Sequence, residues 1–270
     1  MYPDRLRIGA VDYLNSRPLV YGLSQDATEF ELVFDLPSRL ADALADGQLD
    51  VALIPSIEFF RDPTYTIVSD ACIGCRGPVL SVKLFCRRSP AEIRSVAMDE
   101  GSRTSAALVQ ILLQDRYGLR PRLESLPIGA SIEDTDADAV LLIGDRAIHS
   151  PAASFADIWD LGDQWCRWSE LPFVFAMWVA RSGIDTAPVA DILAAARNRG
   201  VANLESIART EAAAAGLTVP ECLSYLRDNL HFHLGPGQRQ GMDLFYRHAS
   251  HLGLVPQRLD LTLDDCRTPG

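Results

Sequence analysis

No apolar run in this sequence is long enough to span a bilayer. The N-terminus, Met1-Tyr-Pro-Asp-Arg-Leu-Arg-Ile-Gly9, enters a strand pattern directly, without the apolar stretch of a secretory signal. These absences lead to the expectation of a cytoplasmic protein with no membrane partner. Positive charge is scarce as well: 25 Lys and Arg stand against 36 Asp and Glu, a formal net charge of -11. That balance works against nucleic acid as a partner, because a phosphate backbone is held mainly by clustered cations. It leaves room for a small anion, which helix N-termini and hydroxyl groups can bind without net positive charge. No repeat, low-complexity tract or block of like charge interrupts the chain.

The six cysteines are scattered, and a chain of this size without an export signal has little need of disulfides, so free thiols are expected. Cys72-Ile-Gly-Cys75 has the spacing of a redox or zinc half-site, yet no second such pair follows, and a structural turn is the expected reading. His231-Phe-His233 puts two imidazoles on one strand face without an apparent third metal ligand. Gly235-Pro-Gly-Gln-Arg-Gln-Gly241 lacks the Gly-Lys-Ser/Thr ending of a phosphate loop and reads as a turn before a helix.

What is present is enough apolar sequence for a large core: 48% of 270 residues. Strand and helix patterns alternate from Arg5 onward, which argues for an α/β protein whose ligand lies outside the carboxyl ends of its strands. Asn15, Ser16 and Ser56 fall at such ends. After Gly74, Gly77 and Pro78, the segment Val79 to Phe85 alternates as an extended strand. Leu171 to Arg181 is a second strand-like stretch. Read as two crossings, they divide the chain into one lobe of residues 1–86 and 180–270 and another of residues 87–179, with a cleft between. Trp159, Trp165 and Trp168 are expected to pack between the lobes. The acidic tail after Leu261 is expected to fray.

Gly101-Ser-Arg-Thr-Ser105 leads into a helix ending near Tyr117, which sets backbone N–H groups, hydroxyls and the Arg103 guanidinium where a helix dipole favours an anion. The alternative is a Ser102 that only caps the helix and an Arg103 in solvent. Ser81 faces either the cleft or the hinge interior. Asn15 either positions a ligand as a neutral amide or serves a turn, and Ser56 is either a ligand contact or a cap. Asp145 stands where it would cap a following helical turn.

Several segments together resemble the chorismate dehydratases of the futalosine route to menaquinone. Val11-Asp-Tyr-Leu-Asn-Ser-Arg-Pro-Leu19, Ile73-Gly-Cys-Arg-Gly-Pro-Val-Leu-Ser81, Gly101-Ser-Arg-Thr-Ser105, Ala139-Val-Leu-Leu-Ile-Gly-Asp145 and Leu171-Pro-Phe-Val-Phe-Ala-Met-Trp178 are similar to blocks of that family, in order. The resemblance implies a two-lobed fold like type II periplasmic binding proteins, with two crossover strands and one lobe built from both chain ends. It implies loss of water from chorismate, a small dicarboxylate substrate, to give 3-[(1-carboxyvinyl)oxy]benzoate without metal or organic cofactor. It makes Asn15 and Ser81 the expected catalytic residues, and Ser16, Ser56, Ser102, Arg103, Thr104, Ser105 and Asp145 the expected substrate contacts. The sister dihydroxynaphthoate synthases share the fold, but their Ser-Pro-Cys-Pro-Asn-Asp type motif and catalytic His have no counterpart here. A cytoplasmic anion-binding or sensing protein of the same fold is the competing expectation. Because the matched blocks contain no His, the base is expected to be the substrate's own enolpyruvyl carboxylate, with Asp145 or Glu58 as rivals.

Overall fold

A computed structural model of the chain describes residues 5–23, 30–149 and 155–257. The chain begins with β1 (Leu6–Val11), a 3-10 turn (Leu14–Ser16), α1 (Arg17–Val20), β2 (Phe30–Asp35), α2 (Pro37–Ala45), β3 (Val51–Pro55), α3 (Ser56–Phe59) and β4 (Thr66–Cys75). It continues with β5 (Val82–Cys86), β6 (Ser95–Asp99), α4 (Arg103–Tyr117), β7 (Arg122–Leu126), β8 (Ala139–Ile143), α5 (Asp145–Ile148), β9 (Asp157–Asp160) and α6 (Leu161–Ser169). Next come β10 (Phe173–Ala180), α7 (Ala187–Ala202), α8 (Leu204–Glu211), α9 (Val219–Ser224), a π-helical turn (Tyr225–Asn229), β11 (His231–His233) and α10 (Pro236–His251). The tail after Leu261 and Cys266 lie outside the described residues.

Two sheets result. The first has the order β11-β4-β10-β3-β1-β2 and the second β7-β6-β8-β5-β9. In the first, β1 runs parallel to β2 and β3, and β10 lies antiparallel between β3 and β4. In the second, β6 runs parallel to β7 and β8, and β5 lies antiparallel between β8 and β9. The edge strand β11 is antiparallel to β4 as well, so the first sheet contains two reversed strands and the second one; β10 and β5 are each the first strand to arrive after a crossing. Val51–Pro55 and Phe173–Ala180 are buried at every residue, as expected of central strands covered on both faces.

The crossings are shorter than the strand patterns suggest. Cys72 and Cys75 lie inside β4, both as buried free thiols, so the expected turn begins only at Arg76. β5 pairs wholly within the second sheet and β10 wholly within the first. The chain thus exchanges sheets at residues 76–81 and again between α6 and β10. The alternation read from Val79 breaks because Leu80 has φ 62, a left-handed conformation that ends a strand.

Trp165 of α6 meets Phe173 of β10 and Phe245 of α10, with ring centroids 5.1 and 6.1 Å apart. This joins a second-lobe helix to the core of the first lobe, as expected for Trp165. Trp159 instead stacks on Tyr117 within the second lobe. His231 and His233 sit on β11, where His233 Nδ1 lies 3.1 Å from Asp70 and 3.1 Å from the Arg197 guanidinium. No helix among the described residues is long and apolar enough to cross a membrane.

Candidate active site

The carboxyl ends of β1, β3 and β4 face those of β6 and β8 across a cavity of about 520 Å3, part of it open to solvent. Val11, Ile73, Val79, Ile143 and Phe175 give it apolar walls, and Tyr13, Asn15, Ser81, Ser102, Thr104 and Ser105 bring polar groups to it. Both lobes contribute. No Asp, Glu, His, Lys or Arg is among the described lining residues.

Asn15 occupies the 3-10 turn after β1. Its Oδ1 is buried and has no hydrogen-bond partner, which is costly for an amide unless a ligand supplies the donor. Ser16 serves the same turn: its hydroxyl donates to the Val11 and Tyr13 carbonyls, and its amide donates to Tyr13. It holds the backbone that presents Asn15 and does not line the cavity.

Ser81 ends the first crossing, wholly buried against the cavity wall. Its amide donates to the Val79 carbonyl at 2.7 Å, closing a tight three-residue turn around Leu80 of the rare, strained kind. The Asp160 carboxylate accepts from the amides of Val79, at 2.9 and 3.0 Å, and Leu80, at 2.6 Å.

From the second lobe, α4 aims its N-terminus at the cavity. The first bond within this helix is Ala106 N–H to the Ser102 carbonyl, so the amides of residues 103 to 105 precede the ladder and remain available to an anion. Ser102 is the N-cap residue but makes no side-chain cap bond, so its hydroxyl is not consumed as a cap. Thr104 accepts from Ile57 N–H at 3.2 Å and meets the Ser56 hydroxyl at 3.4 Å.

Three further expected contacts, besides Ser16, lie elsewhere. The Ser56 hydroxyl donates to the Val174 carbonyl at 2.7 Å, so it stitches β10 and α4 to α3 behind the cavity. Arg103 turns to the first lobe, 2.7 and 2.8 Å from the two Asp42 oxygens and 3.5 Å from Glu58. Asp145 accepts from Leu14 N–H, and burial pushes its carboxyl up despite that bond. It thereby fixes the backbone next to Asn15 from the opposite lobe. Glu58, expected as a rival base, is engaged by Arg61 and Arg103.

The sequence reading missed Tyr13. Its ring covers Gly144, whose φ of 68 and a 3.2 Å approach to the ring leave no place for a Cβ. Burial, then the nearby Asp99, pushes the phenol up to about 12, so it stays protonated and acts as a donor. The available signal was positional: an aromatic residue two places past a strand's carboxyl end.

The chain matches the family described as menaquinone biosynthesis over residues 6–251. It belongs to that family. It is also similar to the chorismate dehydratase of Thermus thermophilus, 29% identical over 265 residues, covering 92% of this chain and 95% of that protein. The resemblance read from the sequence is borne out. Among solved structures, AF1704 from Archaeoglobus fulgidus superposes with a TM-score of 0.73 at 16% identity, over 94% of this chain and all of that one. CA3427 from Candida albicans, described as having the generic periplasmic binding protein fold, gives 0.58 at 11%, over 94% and 92%. The family member described here thus has the two-lobed periplasmic-binding-protein-like fold.

Proposed function

We propose that this protein removes water from chorismate to give 3-[(1-carboxyvinyl)oxy]benzoate, acting as a carbon–oxygen lyase in menaquinone biosynthesis. The observation that carries the reading is the buried, unpartnered Asn15 Oδ1 on the wall of a cavity whose described residues are otherwise polar only through hydroxyls and helix amides. Chorismate's C4 hydroxyl is a donor of the kind that oxygen needs. Its two carboxylates match the amide and hydroxyl donors at the α4 N-terminus and the hydroxyls of Ser81 and Tyr13.

The reaction takes a proton from C3 and the hydroxyl from C4, and the ring becomes aromatic. Much of the driving force is therefore intrinsic to the substrate. Among the described residues the lining contributes no carboxylate, imidazole or amine, and its one phenol is held protonated, which supports the substrate's enolpyruvyl carboxylate as the base. The protein's part is to orient the ring, hold its anions and exclude water.

The test is direct. Purified protein incubated with chorismate should abolish the diene absorbance and yield the carboxyvinyloxybenzoate by mass spectrometry. Asn15→Ala should lower kcat by at least about a hundredfold, as removal of a positioned polar group at the reacting bond does. Stoichiometric binding of chorismate without turnover would place the protein among ligand binders instead.

A further inference from the structure

The π-helical turn Tyr225–Asn229 lies 144 residues or more beyond Ser81, yet it touches the first crossing twice. Asn229 Nδ2 donates to the Pro78 carbonyl at 2.9 Å. The Tyr225 hydroxyl faces the Ser81 hydroxyl. Tyr225 is wholly enclosed, and its oxygen completes no well-formed hydrogen bond in this conformation. A π-helical turn of this kind often marks a functional position.

Ser81 itself is poorly satisfied. Its hydroxyl reaches only the Val79 carbonyl, at 3.5 Å, the outer limit for such a bond. Two buried hydroxyls that face each other and lack other good partners resolve in one way. One donates to the other, and the second sends its proton elsewhere.

We infer that Tyr225 is a positioning residue: its phenol donates to Ser81 Oγ and thereby directs the Ser81 proton into the cavity as a fixed donor to the ligand anion. The inference rests on the proposed reaction for its kinetic consequence but not for the hydrogen bond itself. The direction of donation follows from the surroundings. Burial raises the phenol's pKa, so it remains a donor across the working range, whereas Ser81 alone of the two opens onto the cavity. Ser81 is then a donor in the complex and never the base.

Tyr225→Phe removes one oxygen and keeps the ring, so it is compared with Ser81→Ala and with the double variant in two measurements. With chorismate, Tyr225→Phe is expected to lower kcat/KM about tenfold, and to have no further effect once Ser81 is Ala. In urea unfolding, the two single changes should couple by roughly five- to tenfold in the unfolding equilibrium constant. A Tyr225→Phe effect on kcat/KM that is undiminished in the Ser81→Ala background overturns the positioning role, as does wild-type kinetics in Tyr225→Phe. Additive unfolding overturns the hydrogen bond, whatever the substrate. If the unfolding coupling is present while the wild-type protein leaves chorismate unchanged, the pair stands and the proposed reaction falls.

Discussion

Asp160 holds Leu80 in a left-handed backbone conformation through a 2.6 Å hydrogen bond from the Leu80 amide. The same carboxylate accepts from Val79 and from Asp163 at the start of α6. One half-buried acid from the second lobe therefore ties the first crossing to a helix cap. Without it, the strained turn would relax toward extended backbone and carry Ser81 away from the cavity wall.

Asp160→Ala should accordingly destabilise the protein by about 2 kcal/mol or more, since buried amides lose their acceptor, and should lower kcat/KM for chorismate at least about tenfold. Asp160→Asn, which keeps an acceptor oxygen, should recover part of both. Urea denaturation and steady-state kinetics on the two variants check this. Equal damage by Ala and Asn would show that the charge matters and the accepted hydrogen bonds do not.

Gly144 predicts a second sensitive point. With φ 68 and ψ -157 it occupies a region open essentially to glycine alone, and a Cβ there would press on the Tyr13 ring at 3.2 Å. Gly144→Ala should cost about 1 to 3 kcal/mol of stability and displace the ring that forms one wall of the cavity. Thermal unfolding and the KM for chorismate should both change. An unchanged KM would mean that Tyr13 has no part in binding.

Asp50 sets an acid limit far from the cavity. Burial raises its carboxyl, but bonds from Arg7, then from Arg181, outweigh that and leave it below its ordinary value. A carboxyl with a lowered folded pKa contributes stability that is complete above the unfolded value, near pH 4, and is lost as pH falls through the folded value. Both arginines are over a third exposed, so the contribution is modest, about 1 kcal/mol. Asp50→Asn should be less stable than wild type at pH 6, and the gap should close below about pH 4. Urea unfolding across pH 2 to 6 measures it, and a gap independent of pH would contradict the assignment.

The architecture was legible because strand and helix periodicities alternate cleanly and because ordered motif blocks carry the family resemblance. The strand ends carrying Asn15 and the α4 N-terminus were legible for the same reason: both follow directly from local pattern. What remained hidden depends on pairs remote in sequence. Nothing near Asp160 announces that its carboxylate holds residues 79 and 80, and nothing near Tyr225 announces Ser81. The extent of the first crossing was misjudged because Leu80 has an unremarkable side chain, and its left-handed backbone is imposed by the Asp160 acceptor. Arg103 looked like an anion ligand because its position at a helix N-terminus suits one; its actual partners, Asp42 and Glu58, sit on first-lobe helices remote in sequence that only the packing of the two lobes brings near.

That arrangement makes a final prediction about Arg103. Its bonds to Asp42 and Glu58 join the lobes beside the cavity, and its Asp42 partner is 60% exposed, so global stability should fall by no more than about 1 kcal/mol on Arg103→Ala. The effect should appear in lobe closure instead, as a KM for chorismate raised about three- to fivefold over wild type, the value of one such pair, a difference that shrinks as salt screens the pair in the wild type. Asp42→Ala decides the role by its sign. If Arg103 is a latch, removing Asp42 weakens closure and raises KM as Arg103→Ala does. If Arg103 acted on the ligand, removing Asp42 would unmask a positive charge beside a dianion and lower KM. A rise in KM for both single variants, with no further rise in the double, is the outcome the interlobe geometry requires.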